Sequence, residues 1–196
     1  MIIGITGQIG SGKTAAAKLF RKHGFRVIDA DKVSHSLMRK KSPIYSKLLK
    51  NFGKGILDEN ENIDRKKLGD LAFADARKLK KLNSIMHAAI ISSVKGAIKK
   101  NKNGKIIIDA PLLLETKAKN LVDKVIVVRA GIKKIFKRNE KFSKEQIERI
   151  LNVQMPLNEK LKYADFVIDN NKGLKHMKKQ VENAVNQLNN KFLKSK

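Results

Sequence analysis

The 196-residue sequence predicts an α/β fold: a five-stranded parallel sheet flanked by helices, with a helical insertion and a lid. Three observations predict it. Short apolar runs recur along the chain, helical spacing fills the segments between them, and a glycine-rich turn joins the first run to the first helix. The runs are continuous rather than alternating, which marks strands buried on both faces and therefore a parallel sheet.

Ile2-Ile3-Gly4-Ile5 predicts the first strand, and Thr14 to Phe20, mostly good helix formers, predicts the helix after the turn. Phe25-Arg26-Val27-Ile28-Asp29 predicts a second strand after the turn at His23-Gly24. Lys105 to Asp109 predicts a third, between Asn103-Gly104 and Pro111. Lys124 to Val128 and Phe166 to Asp169 predict the fourth and fifth. Leu174, Met177, Val181, Val185, Leu188 and Phe192 recur at helical spacing, predicting a last helix packed on the sheet.

About 75 residues separate the second and third strands, far more than one crossover helix requires. They read as helices, including Pro43 to Leu49 and Arg77 to Lys100. The stretch from Ile132 to Glu159, rich in Arg and Lys, is positioned to fold over bound phosphates. A single domain is expected, with a core of residues 1–31, 104–131 and 160–196, a substrate-binding insertion at 32–103 and a lid at 132–159.

Hydrophobic content of 41% argues against disorder, and the absence of cysteine excludes disulfides and Cys-based metal sites. The chain opens on a core strand, so no signal peptide is expected and a cytoplasmic location is. No apolar run approaches the roughly 20 residues needed to span a bilayer, so no membrane partner is expected. The formal charge of +26 fits either a polyanionic partner or a lysine-decorated solvated surface. The basic clusters run along the whole chain without interleaved aromatics, and no nucleic acid is expected. Oligomeric state stays open, with a monomer favoured.

Gly7-Gln8-Ile9-Gly10-Ser11-Gly12-Lys13-Thr14 fits G-x-x-x-x-G-K-[ST] at every fixed position. That spacing, between a strand and a helix, turns backbone N–H groups inward around a phosphate. Lys13 then reaches the β/γ-phosphates and the Thr14 hydroxyl takes Mg²⁺. The chain is expected to bind a nucleoside triphosphate through Gly10, Ser11, Gly12, Lys13, Thr14 and Ala15.

Neither Asn-Lys-x-Asp nor Asp-x-x-Gly occurs, which argues against a guanine-specific GTPase. The third strand ends Asp109-Ala110-Pro111 without the Asp-Glu of a motor ATPase. The second strand instead runs directly into Asp29-Ala30-Asp31. On an extended chain these carboxylates project to one side, suiting a base for an acceptor hydroxyl; an N-cap is the other reading.

With these residues the sequence resembles the dephospho-CoA kinase family over nearly its full length. The resemblance runs from Gly4-Ile5-Thr6-Gly7 and the phosphate loop to Asp29-Ala30-Asp31. It continues through Phe52-Gly53, Asp64-Arg65, Leu68, Phe73, Leu82-Asn83 and His87. Next come Asp109-Ala110-Pro111-Leu112-Leu113-Leu114-Glu115, Arg149-Ile150, Gln154, Pro156, Lys160 and Ala164-Asp165, then Ile168-Asp169-Asn170. It implies a P-loop kinase fold, with ATP and dephospho-CoA as substrates and phosphorylation of the ribose 3′-hydroxyl. Asp31 matches the family's catalytic aspartate. Arg138 and Arg149 are expected to bind phosphates from the lid, with solvated helix charges as the alternative. Arg65, His87 and Asp109 are expected at the substrate; the alternatives are a surface pair with Asp64, a satisfied helix histidine, and a strand end. The match departs from the family pattern at His35, Ala88, Gln8 and Ala15, and the lid is one residue longer.

Overall fold

The computed structural model describes residues 1–101, 104–140 and 142–193, with side chains through residue 190. Lys102, Asn103 and the Phe192 side chain, which belong to a basic run, a predicted turn and a predicted core face, lie outside the described residues. Strands β1 (Ile2–Thr6), β2 (Arg26–Asp29), β3 (Ile106–Asp109), β4 (Lys124–Arg129) and β5 (Phe166–Asp169) form one parallel sheet. Their order is β2-β3-β1-β4-β5. Each matches its predicted run to within one residue at either end.

The continuous apolar runs have the expected cause in the middle of the sheet. Ile3, Ile5, Ile106, Ile107, Ile108, Ile126, Val127 and Val128 are all buried, so consecutive side chains on β1, β3 and β4 meet a covered face. The edge strands differ: β5 leaves Val167 43% exposed. Helices α1 (Lys13–Lys22) and α9 (Leu174–Leu193) share one core with the sheet, where Phe20 meets Phe25 edge-on at 5.4 Å. Met177, Val181, Ala184, Val185 and Leu188 form the buried face of α9. Leu174 was expected there too but is 63% exposed, because it sits in the helix's first turn, beyond that face.

Contacts gather into two compact units, residues 1–28 with 101–196, and residues 29–100. The second holds α2 (Ala30–Leu37), α3 (Pro43–Phe52), α4 (Arg65–Phe73) and α5 (Ala76–Lys99). All four start on a side-chain cap: Asp29, Ser42, Asp64 and Asp75 each accept backbone N–H groups of the first turn. Their apolar faces close around Met38, Ile44, Leu48, Ile56, Leu68 and Met86. In the first unit, α6 (Ile132–Arg138), α7 (Lys144–Val153) and α8 (Leu157–Lys162) lie between β4 and β5. α7 opens on a capping box of Ser143 and Gln146. A small core of Ala130, Ile135 and Ile147 joins α6 and α7 to Ile9 of the phosphate loop. Among the described residues no helix is long and apolar enough to cross a membrane.

Phe20 is fully buried between α1 and the sheet. Phe20→Ala is expected to destabilise the fold by about 3–5 kcal/mol, read as a lowered urea midpoint. An unchanged midpoint would contradict the packing described.

Candidate active site

β1 ends at Thr6 and the chain turns at once into Gly7–Lys13, leading into α1. Gly10 and Gly12 take φ of 68° and 99°, left-handed values that an L side chain resists. Space forbids one as well: a Cβ on Gly10 would strike the Asn139 amide, and one on Gly12 the Asn170 amide. Gly12 is the N-cap of α1 and supplies no capping side chain, so the helix meets the loop with its positive end open. Lys13, only 9% exposed, folds back across the loop and donates to Gln8 O at 3.0 Å. Ser11 Oγ is buried with no hydrogen-bond partner among the described residues.

The register of β1 and β3 pairs Ile5 with Asp109 and brings that buried carboxylate to the mouth of the loop. The Thr14 hydroxyl donates to Asp109 Oδ2 at 3.3 Å. Arg138, at the end of α6, crosses the outside of the loop. Its guanidinium donates to Gly10 O at 3.2 Å, Ser11 O at 3.5 Å and Asn170 O at 3.0 Å. Lys13, Thr14, Asp109 and Arg138 are therefore brought together. Ala15 packs half-buried against the sheet core, in the first turn of α1. Arg149 stays exposed on α7, near enough to Glu145 to help lower that carboxyl's pKa, behind the larger effect of the Ser143 hydroxyl.

Three side chains to which the sequence assigned no role also hold the loop. Asn170 Nδ2 donates to Ser11 O at 2.8 Å, Gln154 Oε1 accepts from Ile9 N at 3.1 Å, and the buried Asn139 packs against Gly10. The available signal was three amides among apolar or charged neighbours, at a strand end and at two helix ends. Asp169, before Asn170, is fixed by Arg129 and by the Asn171 N–H. Burial acts to raise the Asp169 pKa, but those partners outweigh it and hold the carboxyl below its ordinary value. Its contribution to stability is therefore present above the ordinary carboxylate range and lost as pH falls through the lowered value.

Asp29, Asp31, Arg65 and His87 belong to the second unit. The picture of two carboxylates on an extended chain does not hold. Ala30 already begins α2, Asp29 caps it by accepting from Lys32 N at 3.0 Å, and Asp31 stands exposed in its first turn. The N-cap reading is thus correct for Asp29 alone. Arg65 is exposed at the start of α4, and the Asp64 carboxylate turns to the N–H groups of Lys66 and Lys67. His87 is half-buried on α5, and burial lowers its pKa.

The family model for dephospho-CoA kinase matches residues 1–176. The chain belongs to the dephospho-CoA kinase family, whose members use ATP in the final step of coenzyme A biosynthesis. It is 44% identical to the dephospho-CoA kinase of Aquifex aeolicus over 189 residues, covering 95% of this chain and 96% of that one. The corresponding protein of Fusobacterium nucleatum is 40% identical over 186 residues, covering 93% and 95%. Among solved structures, TT1252 from Thermus thermophilus superposes with a TM-score of 0.83 at 28% identity, covering 94% of this chain and 95% of that one. Dephospho-CoA kinase from Campylobacter jejuni gives 0.70 at 27% identity, covering 95% and 96%.

The loop's chemistry is tested at Lys13. Lys13→Ala is expected to lower turnover by roughly 10²–10³ while leaving the fold intact, as for loss of one preorganised donor. Near-native turnover by the folded variant would remove the phosphate-loop assignment.

Proposed function

We propose that this chain transfers the γ-phosphoryl group of ATP to the ribose 3′-hydroxyl of dephospho-CoA in the cytoplasm, with Mg²⁺ as cofactor. The observation that carries this reading is the cradle of Lys13, Thr14 and Asp109, set in a chain that belongs to the dephospho-CoA kinase family. Phosphoryl transfer asks a protein mainly for positioning and for stabilisation of charge on the equatorial oxygens. The backbone of Gly10 to Ala15 surrounds the phosphates and its N–H groups bind them, apart from that of Ser11, which donates to Gln8 O at 3.2 Å. Lys13 turns from Gln8 O to the β- and γ-phosphates.

A hydroxyl and a carboxylate 3.3 Å apart at the cradle are hard oxygen donors of the kind Mg²⁺ takes alongside water and substrate phosphates. When bound there through Thr14, with Asp109 behind it, the ion would neutralise phosphate charge. Among the described residues no cluster of three His, Cys, Asp or Glu offers an all-protein site, which fits an ion completed by the nucleotide.

Asp31 is the base in this proposal. Its carboxylate takes the 3′-hydroxyl proton as that oxygen bonds to the γ-phosphorus and the bond to the ADP oxygen breaks. Its exposure in the first turn of α2, directly after the end of β2, supports this. Arg65 and His87 bind the acceptor, making residues 32–103 the substrate-binding insertion. Arg138, already at the loop's rim, and Arg149 reach phosphates when the lid closes and excludes water.

A coupled assay is expected to register ADP with dephospho-CoA and not with nucleoside monophosphates; the opposite preference would replace the acceptor. Asp31→Asn keeps the side chain's size but not its basicity, so turnover is expected to fall by roughly 10²–10⁴. Asp29→Asn is expected to cost less, because an Asn caps a helix about as well as Asp. Full activity in the first variant with loss in the second would move the base to Asp29. With a bisubstrate analogue bound, hydrogen exchange is expected to slow within residues 132–159. Unchanged exchange there would argue against closure.

A further inference from the structure

Among the described residues Lys160 is the largest fully buried polar side chain, 0% exposed, and the proposed chemistry leaves it unused. Its ammonium donates to Glu115 Oε1 at 2.7 Å, Pro111 O at 3.0 Å and the Thr6 hydroxyl at 3.3 Å. The Thr6 hydroxyl in turn donates to Pro111 O at 3.1 Å. Glu115 Oε1 also accepts the Met155 N–H at 2.8 Å, and the neighbouring Gln154 takes the Ile9 N–H at 3.1 Å. These contacts converge on one short piece of chain. Thr6 immediately precedes Gly7, Ile9 lies two residues beyond it, and both are held by residues 154–160.

A buried ion pair is a poor means of gaining stability, since desolvation can exceed the attraction and apolar replacements often do as well. Directional charge-assisted hydrogen bonds, in contrast, fix geometry. We propose that Lys160 is a positioning residue of the phosphate cradle, acting through the Thr6 hydroxyl and, by way of Glu115 and the Gln154–Met155 peptide, through Ile9. Lys160 touches no phosphate. It sets the angle at which the chain enters the Gly7 turn, and so where the loop's N–H groups point. The same contacts tie residues 154–160 to the sheet. The catalytic consequence rests on the kinase reading; the ordering of the loop does not.

The test is Lys160→Met with Glu115→Gln, which removes both charges together and leaves an acceptor for the Met155 N–H. The expected thermal midpoint lies within a few degrees of the parent, because no charge is stranded. Turnover with saturating ATP is expected to fall about 10–100-fold, the scale of a small misplacement, with KM for ATP changed less than about 3-fold. Without any ligand, amide exchange across Gly7–Lys13 is expected to rise about 10-fold while β4 is unaffected. Parental turnover and parental loop exchange in the double variant would overturn the proposal, as would a loss of turnover that merely tracks the folded fraction. If the double variant fails to fold, Thr6→Val removes that hydroxyl's two bonds, from Lys160 and to Pro111 O, and leaves Lys160 paired with Glu115. It is expected to speed loop exchange and slow turnover about 3–10-fold, and parental behaviour in it overturns the proposal equally. A parent protein inactive on dephospho-CoA would defeat the functional reading, and loop exchange would still decide the role of Lys160.

Discussion

A loop that turns its amides toward a phosphate must turn its carbonyls outward, and those carbonyls need donors of their own. That constraint organises the first unit. Gln8 O is met by the Lys13 ammonium and the Ser11 N–H, Gly10 O by Arg138, and Ser11 O by Arg138 and Asn170. The donors arrive from α1, from the end of α6 and from the end of β5. The cradle's shape is therefore not a property of eight consecutive residues. Glycine permits the left-handed turns at Gly10 and Gly12, but side chains more than a hundred positions away hold them.

This division explains what was legible in the sequence. The sheet was legible because β1, β3 and β4 are covered on both faces, and that burial demands unbroken apolar runs. The edge strands carry weaker runs and expose a residue such as Val167. The cradle was legible because its glycines, lysine and threonine are consecutive. Gln154 and Asn170 were visible only as parts of a resemblance, without a task. A side chain bonded to a distant backbone atom leaves no periodicity to read, and Gln and Asn amides suit many other settings. Asp29-Ala30-Asp31 failed in a different way. Spacing alone suggested an extended pair, yet Asp at a strand end is also a strong helix start, and the capping bond to Lys32 N won.

The excess of positive charge has a related logic. Of 18 acidic residues against 44 basic ones, several are committed to backbone N–H groups. Asp29, Asp64 and Asp75 cap helices, Asp58 holds the turn at Asn60 and Asn62, and Asp165 takes Val125 N as well as Lys124. Glu115 and Asp169 are bound within the first unit. These carboxylates are retained where the fold needs an acceptor at a fixed point, and the lysines around them lie largely on exposed surface. Substrates that carry several phosphates approach such a surface down a favourable long-range gradient, which speeds encounter without contributing any specific contact. Specificity must then come from the short-range geometry of the cradle. The outward carbonyl bonds and the Lys160 contacts bear directly on that geometry, whereas the large net charge does not.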